Sequence, residues 1–129
     1  MRQTIQQLLA EAKSRIREIN ADELRALQDR GVPVVDVREP AEFATGHIPG
    51  ASSIPRGVLE FEVDGHPAVN CERDPALAHR DQPIVLYCRS GGRSALAAEA
   101  LQRLGFAEPL SLAGGYLAWT AGGGEVEGA

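Results

Sequence analysis

Apolar positions change period along this chain, and each change marks an element. From Thr4 to Ile19 the residues Ile5, Leu8, Leu9, Ala12, Ile16 and Ile19 lie near one helical face. Thr4 and Gln7 stand at the spacing of a capping box. The last turn has a second reading, because Ile16-Arg17-Glu18-Ile19 also fits a short first strand. Packing on its own domain suits this helix better than service as a partner-binding arm. Asn20 or Asp22 then caps a helix through Leu24 and Leu27 that stops at Gly31. Pro33 to Val37 reads as a buried strand, Pro40 opens a short helix ending near Gly46, and Ala51 to Ile54 forms a brief strand before Pro55. The stretch from Arg56 to His79 mixes glycine, proline and polar residues and is the least legible. Pro83-Ile84-Val85-Leu86-Tyr87 is a second buried strand. Leu96, Ala97, Ala100, Leu101 and Leu104 recur at helical spacing until Gly105, a natural C-terminal cap. Pro109 to Leu112 predicts a final short strand and Gly114 to Trp119 a final helix. The tail from Gly122 to Ala129 holds nothing to anchor it and is expected to fray.

Strands alternating with helices imply an α/β domain with a mainly parallel sheet and helices on both faces. Sites in such sheets lie at the carboxyl ends of the strands, and Cys88 follows directly on Tyr87. With 129 residues the chain is the size of one domain. Its net charge of −5 argues against nucleic-acid or anionic-membrane binding. No apolar run is long enough to cross a bilayer, and Gln6, Gln7, Glu11 and Lys13 interrupt any signal-peptide core. Cys71 and Cys88 are too far apart for zinc-type or thioredoxin-type spacing. No metal or cofactor is called for, and a cytoplasmic protein with free thiols is the simplest expectation.

The chemistry concentrates in Cys88-Arg89-Ser90-Gly91-Gly92-Arg93-Ser94. A cysteine ends a strand, a glycine-bearing loop follows, and a helix begins just beyond. That order aims backbone N–H groups and the positive end of a helix dipole at the sulfur. Gly91 and Gly92 can take φ > 0 and let successive N–H groups converge on one point. Arg89 and Arg93 make a positive island in an acidic chain, suited to a small anion. All of this favours thiolate over thiol, so the Cys88 pKa is expected below its ordinary value. The alternative is a small core residue ending an apolar strand. That role gains nothing from two glycines and two arginines placed beside it.

These residues resemble the rhodanese family over nearly the whole chain after Ile19. Asp36-Val37-Arg38-Glu39-Pro40-Ala41-Glu42-Phe43 with Gly46-His47-Ile48-Pro49-Gly50-Ala51 looks like the family's first signature. Cys88 to Arg93 is similar to its six-residue cysteine loop, and Leu112-Ala113-Gly114-Gly115-Tyr116 with Trp119 to its C-terminal signature. The resemblance implies a five-stranded, mainly parallel rhodanese-like sheet over residues 19–122, preceded by a helical extension (1–18) and followed by the frayed tail (123–129). It implies a sulfurtransferase in which a Cys88 persulfide carries sulfane sulfur from thiosulfate or another persulfide to a thiophilic acceptor such as a thiol or cyanide, or to a sulfur-relay protein. Arg89, Ser90, Gly91, Gly92, Arg93 and Ser94 would bind the substrate.

Two other readings compete. A cysteine phosphatase or arsenate reductase also sets a thiolate in an anion-binding loop, but places its arginine after five intervening residues so that it forks onto an oxyanion. Here Ser94 stands at that place and the arginine comes one residue earlier. A regulatory, non-catalytic module would be expected to lack the cysteine. Neighbouring residues read as structural: His47 as a turn-shaping hydrogen bonder, Asp36 and Arg38 as mutual or backbone partners, Arg56 as a solvated loop cation. Cys71 reads as an ordinary loop cysteine, the sharper alternative being a resolving thiol at the mouth of the site.

Overall fold

The computed structural model describes residues 2–128. Five parallel strands form one sheet in the order β1-β5-β4-β2-β3: β1 (Arg17–Ile19), β2 (Val34–Asp36), β3 (Ser52–Ser53), β4 (Pro83–Tyr87) and β5 (Glu108–Leu112). The helices are α1 (Ile5–Arg15), α2 (Ala21–Asp29), α3 (Pro40–Ala44), α4 (Leu59–Glu62), α5 (Gly92–Arg103) and α6 (Gly115–Ala121). The Thr4–Gln7 capping box starts α1, and Asn20 with Glu23 makes a second box at α2. Residues 16–19 leave the helix and become the edge strand β1, whose Ile19 is buried while Leu112 pairs with it on β5. Burying Ile19 against the sheet outweighs one more exposed helical turn.

Strand alternation sorts the core into two layers. Ile84, Leu86 and Cys88 face the side covered by α5 and by Leu59 and Val63 of the segment between β3 and β4. Val85 and Tyr87 face the side covered by Leu24 of α2 and Trp119 of α6. The amino-terminal helix packs on α5 rather than on the sheet: Ala12 is buried, Arg15 pairs with Glu99 at 2.9 Å, and the Gln102 side chain donates to the Arg15 carbonyl at 2.7 Å.

The stretch 56–79 holds three short helical pieces, with Leu59 and Val63 driven into the core. Asn70 ties it together, donating to the carbonyls of Asp64 and Asp74 and accepting from Asp74 N–H at 3.0–3.2 Å. Such long-range packing leaves no periodic trace in the sequence.

The tail departs from expectation. His47 and Glu127 exchange two backbone hydrogen bonds of 3.0 Å, the Glu127 carboxylate accepts from Gly50 N–H at 2.8 Å, and Trp119 donates its indole N–H to the Glu125 carbonyl at 2.7 Å. Polar anchoring pins a segment that has no apolar anchor of its own. Ala129 lies outside the described residues.

Candidate active site

Cys88 stands one residue beyond β4, and its carbonyl and the next are gripped from α6. Tyr116 N–H donates to the Cys88 carbonyl at 2.8 Å and Leu117 N–H to that of Arg89 at 3.0 Å. Only glycine permits this approach at position 115, where φ is +59° and an added Cβ would lie 2.5 Å from the Cys88 carbonyl oxygen. The Leu112–Tyr116 motif therefore holds the floor of the cysteine loop.

The loop then turns at Gly91 (φ +104°) and enters α5 at Gly92. Only the first of the two glycines uses the left-handed region, since Gly92 is already the first helical residue. Gly91 N–H donates to Cys88 Sγ at 3.1 Å, and Ser94 Oγ lies 3.6 Å from the same sulfur. The residue is only 1% exposed, so the thiol lies under the loop rather than at its tip. Burial pushes the Cys88 thiol up, but hydrogen bonds from the Ser94 N–H and hydroxyl and from the N–H groups of Gly91 and Ser90 outweigh it, and the net shift is downward.

The two loop arginines are placed differently. Arg93 forks onto Glu42 of α3 with contacts of 2.6 and 3.0 Å, spending its charge within the fold. This forked pair holds the Glu42 carboxyl at about 2. Arg89 and Ser90 are exposed, and Arg89 enters no ion pair among the described residues. No local pattern marks Glu42 as the partner of Arg93, because their tie spans 51 positions.

The neighbours serve structure. Arg38 binds Asp36 through contacts of 2.7–3.0 Å, donates to the Gly46 carbonyl at 2.8 Å, and lies 4.4 Å from the Tyr116 ring centroid. It braces the start of α6. His47 stacks on Phe43 at 3.7 Å and hydrogen-bonds the Phe43 carbonyl at 3.1 Å. Arg56 pairs with Glu60 at 2.7 Å. Cys71 is exposed and lines a cavity of about 210 Å³ with Pro33 and Pro83, at the amino ends of β2 and β4. Along β4 that cavity and Cys88 are separated by about 16 Å at about 3.3 Å per residue. A direct bridge needs Cα atoms within about 7 Å. This placement supports the ordinary loop-cysteine reading of Cys71 and puts a direct bridge to Cys88 out of reach without backbone movement.

The Rhodanese-like domain family matches residues 20–122. The chain belongs to the rhodanese family. A protein from Allochromatium vinosum named Sulfurtransferase is 34% identical over 110 residues, covering 84% of this chain and 92% of that one. The thiosulfate sulfurtransferase GlpE of Pseudomonas aeruginosa is 34% identical over 101 residues, covering 78% and 81%. A solved structure from Rhodopseudomonas palustris, described as of unknown function and a possible tyrosine phosphatase, aligns with a TM-score of 0.79 and 34% identity over 98% of this chain and 96% of that one. With such relatives, this rhodanese is a sulfurtransferase. Its loop also argues against phosphatase chemistry. At the place where a phosphatase needs a guanidinium, Ser94 is fully buried with its hydroxyl toward the sulfur.

Proposed function

We propose that the sheet domain, expected over residues 19–122 and here including all of β1, transfers sulfane sulfur through a Cys88 persulfide, with helix α1 within residues 1–18 as an extension that packs on α5. The observation that carries this reading is the Cys88 sulfur set beneath converging N–H and hydroxyl donors, with its pKa drawn down despite burial. In the first half-reaction the Cys88 thiolate attacks the outer sulfur of thiosulfate, the S–S bond breaks, and sulfite leaves with the bonding pair. In the second, a thiolate or cyanide attacks the terminal persulfide sulfur, and Cys88 departs as thiolate. Each step starts and ends with anionic sulfur, so no general base is required. The histidines support this: the rings of His47, His66 and His79 bond to the Phe43 carbonyl, the Ala68 N–H and Asp64 respectively. Arg89 attracts the anionic donor. Ser90, Gly91, Gly92 and Ser94 form the cradle for sulfur charge, and Arg93 holds its shape.

Thiosulfate is the donor we favour, and a small-molecule or sulfur-relay persulfide suits the same loop. Both cysteines are free, which fits a reducing compartment such as the cytoplasm. Intact mass after incubation with thiosulfate tests the proposal. The expected product carries one added sulfur, removed by cyanide and absent in Cys88→Ser. A chain that gains no sulfur is a binding module instead.

A further inference from the structure

Ser111 is a polar residue inside the apolar run of β5, and it is fully buried. Its flanking residues Leu110 and Leu112 face the α2 and α6 side, so alternation turns Ser111 toward α5. It pairs in register with Leu86, two residues before Cys88. Its hydroxyl oxygen lies 2.8 Å from that of Ser94, which is fully buried too, and Ser94 Oγ lies 3.6 Å from Cys88 Sγ. Three groups thus form one chain, Ser111–Ser94–Cys88. Among the described residues the Ser111 hydroxyl has no other partner.

This chain can run in two directions. If Ser111 donates to Ser94 and Ser94 donates to the sulfur, both hydroxyl protons are used, and the sulfur must accept. If a thiol donates to Ser94 and Ser94 to Ser111, the Ser111 proton is left in the core without an acceptor. A buried unsatisfied donor is costly. The first direction is therefore favoured, and it suits a sulfur without a proton.

We propose that Ser111 is a positioning residue that locks the Ser94 hydroxyl as a donor to Cys88 sulfur, holding that atom as thiolate. The proposal rests on the persulfide reading for its benefit to turnover. In the second half-reaction Cys88 is the leaving group, and a lower thiol pKa makes it leave faster. The charged groups around the loop are Arg93 on α5, neutralised by Glu42 on α3, the buried pair Asp36–Arg38 at the carboxyl end of β2, and exposed Arg89 in the loop. Tyr87 and Tyr116 are the nearby phenols, and burial first of all pushes Tyr87 well up. None of these groups is touched by a change at Ser111.

The test is the pH midpoint of Cys88 alkylation by iodoacetamide, followed by intact mass in a Cys71→Ser background. Ser94→Ala removes the bond itself and is expected to raise the midpoint by roughly one pH unit, since a hydrogen bond to a charged group is worth about one to two such units. Ser111→Ala leaves Ser94 in place but free to turn, and is expected to raise the midpoint by about half as much. Ser111→Thr keeps the hydroxyl and is expected to restore the midpoint, which also covers the case in which the alanine variant does not fold. An unchanged midpoint in a folded Ser111→Ala, or no recovery in a folded Ser111→Thr, overturns the proposal. The persulfide reading fails separately: a wild-type chain that gains no sulfur from thiosulfate sinks that reading, whatever the midpoint does in Ser111→Ala.

Discussion

Replacing Glu42 by glutamine removes one half of the tie between α3 and the active loop and leaves Arg93 otherwise intact. The Glu42 carboxyl falls from an ordinary 4.5 to about 2, chiefly through its hydrogen bonds from Arg93. Taken at face value, that drop of about 2.5 units equals ~3.4 kcal/mol at ~1.36 kcal/mol per unit. The two side chains are 38% and 33% exposed, however, and water screens such pairs to about 1 kcal/mol or less. The expected loss in Glu42→Gln at neutral pH is therefore about 1 kcal/mol. The sign of the pH dependence follows from a depressed folded pKa: the stabilisation is complete above about 4.5 and is lost as pH falls toward 2. Urea denaturation of wild type and variant at pH 6.5 and pH 3 reads it out. Wild type is expected to be the more stable at pH 6.5, with the gap more than halved at pH 3. Equal stabilities at pH 6.5, or a gap that does not change with pH, would refute the bracing argument.

Other outcomes are equally open to measurement. Arg89→Ala is expected to raise the Michaelis constant for thiosulfate several-fold at low salt, with the effect fading as added salt screens charge over about 10 Å; Arg93→Ala instead lowers turnover with little salt dependence, and an exchange of these two behaviours would reverse their roles. Gly115→Ala puts a Cβ 2.5 Å from the Cys88 carbonyl oxygen at a φ of +59°; a loss of about 2 kcal/mol or more in stability is expected, with a rise in the Cys88 alkylation midpoint, and a wild-type melting temperature would contradict it. Cys71→Ser is expected to leave turnover and oxidant response unchanged, because its cavity lies at the opposite end of β4; slower turnover in steady-state kinetics would show otherwise.

Local patterns in this chain carry a definite part of the answer. Pro83–Tyr87 is one short apolar run with one structural solution, and the α2 capping residue and Gly105 act within a few positions of themselves. Cys88, its loop glycines and the following helix are contiguous, so the downward drift of the thiol was legible before any fold was known. Helix and strand compete evenly at residues 16–19 until β5 offers a partner, which is why the first strand stayed ambiguous. Tertiary packing decides the rest. It sets Glu42 against Arg93, Ser111 behind Ser94, and α6 on the carbonyls of Cys88 and Arg89. It also puts the sulfur beneath the loop, turns Gly92 into a helical residue, and fastens Glu127 to His47. Hydrogen bonds and ion pairs act over about 3 Å in space. They join residues far apart in the chain, so no periodicity records them; a lone serine in an apolar strand was the one local sign that such a partner existed.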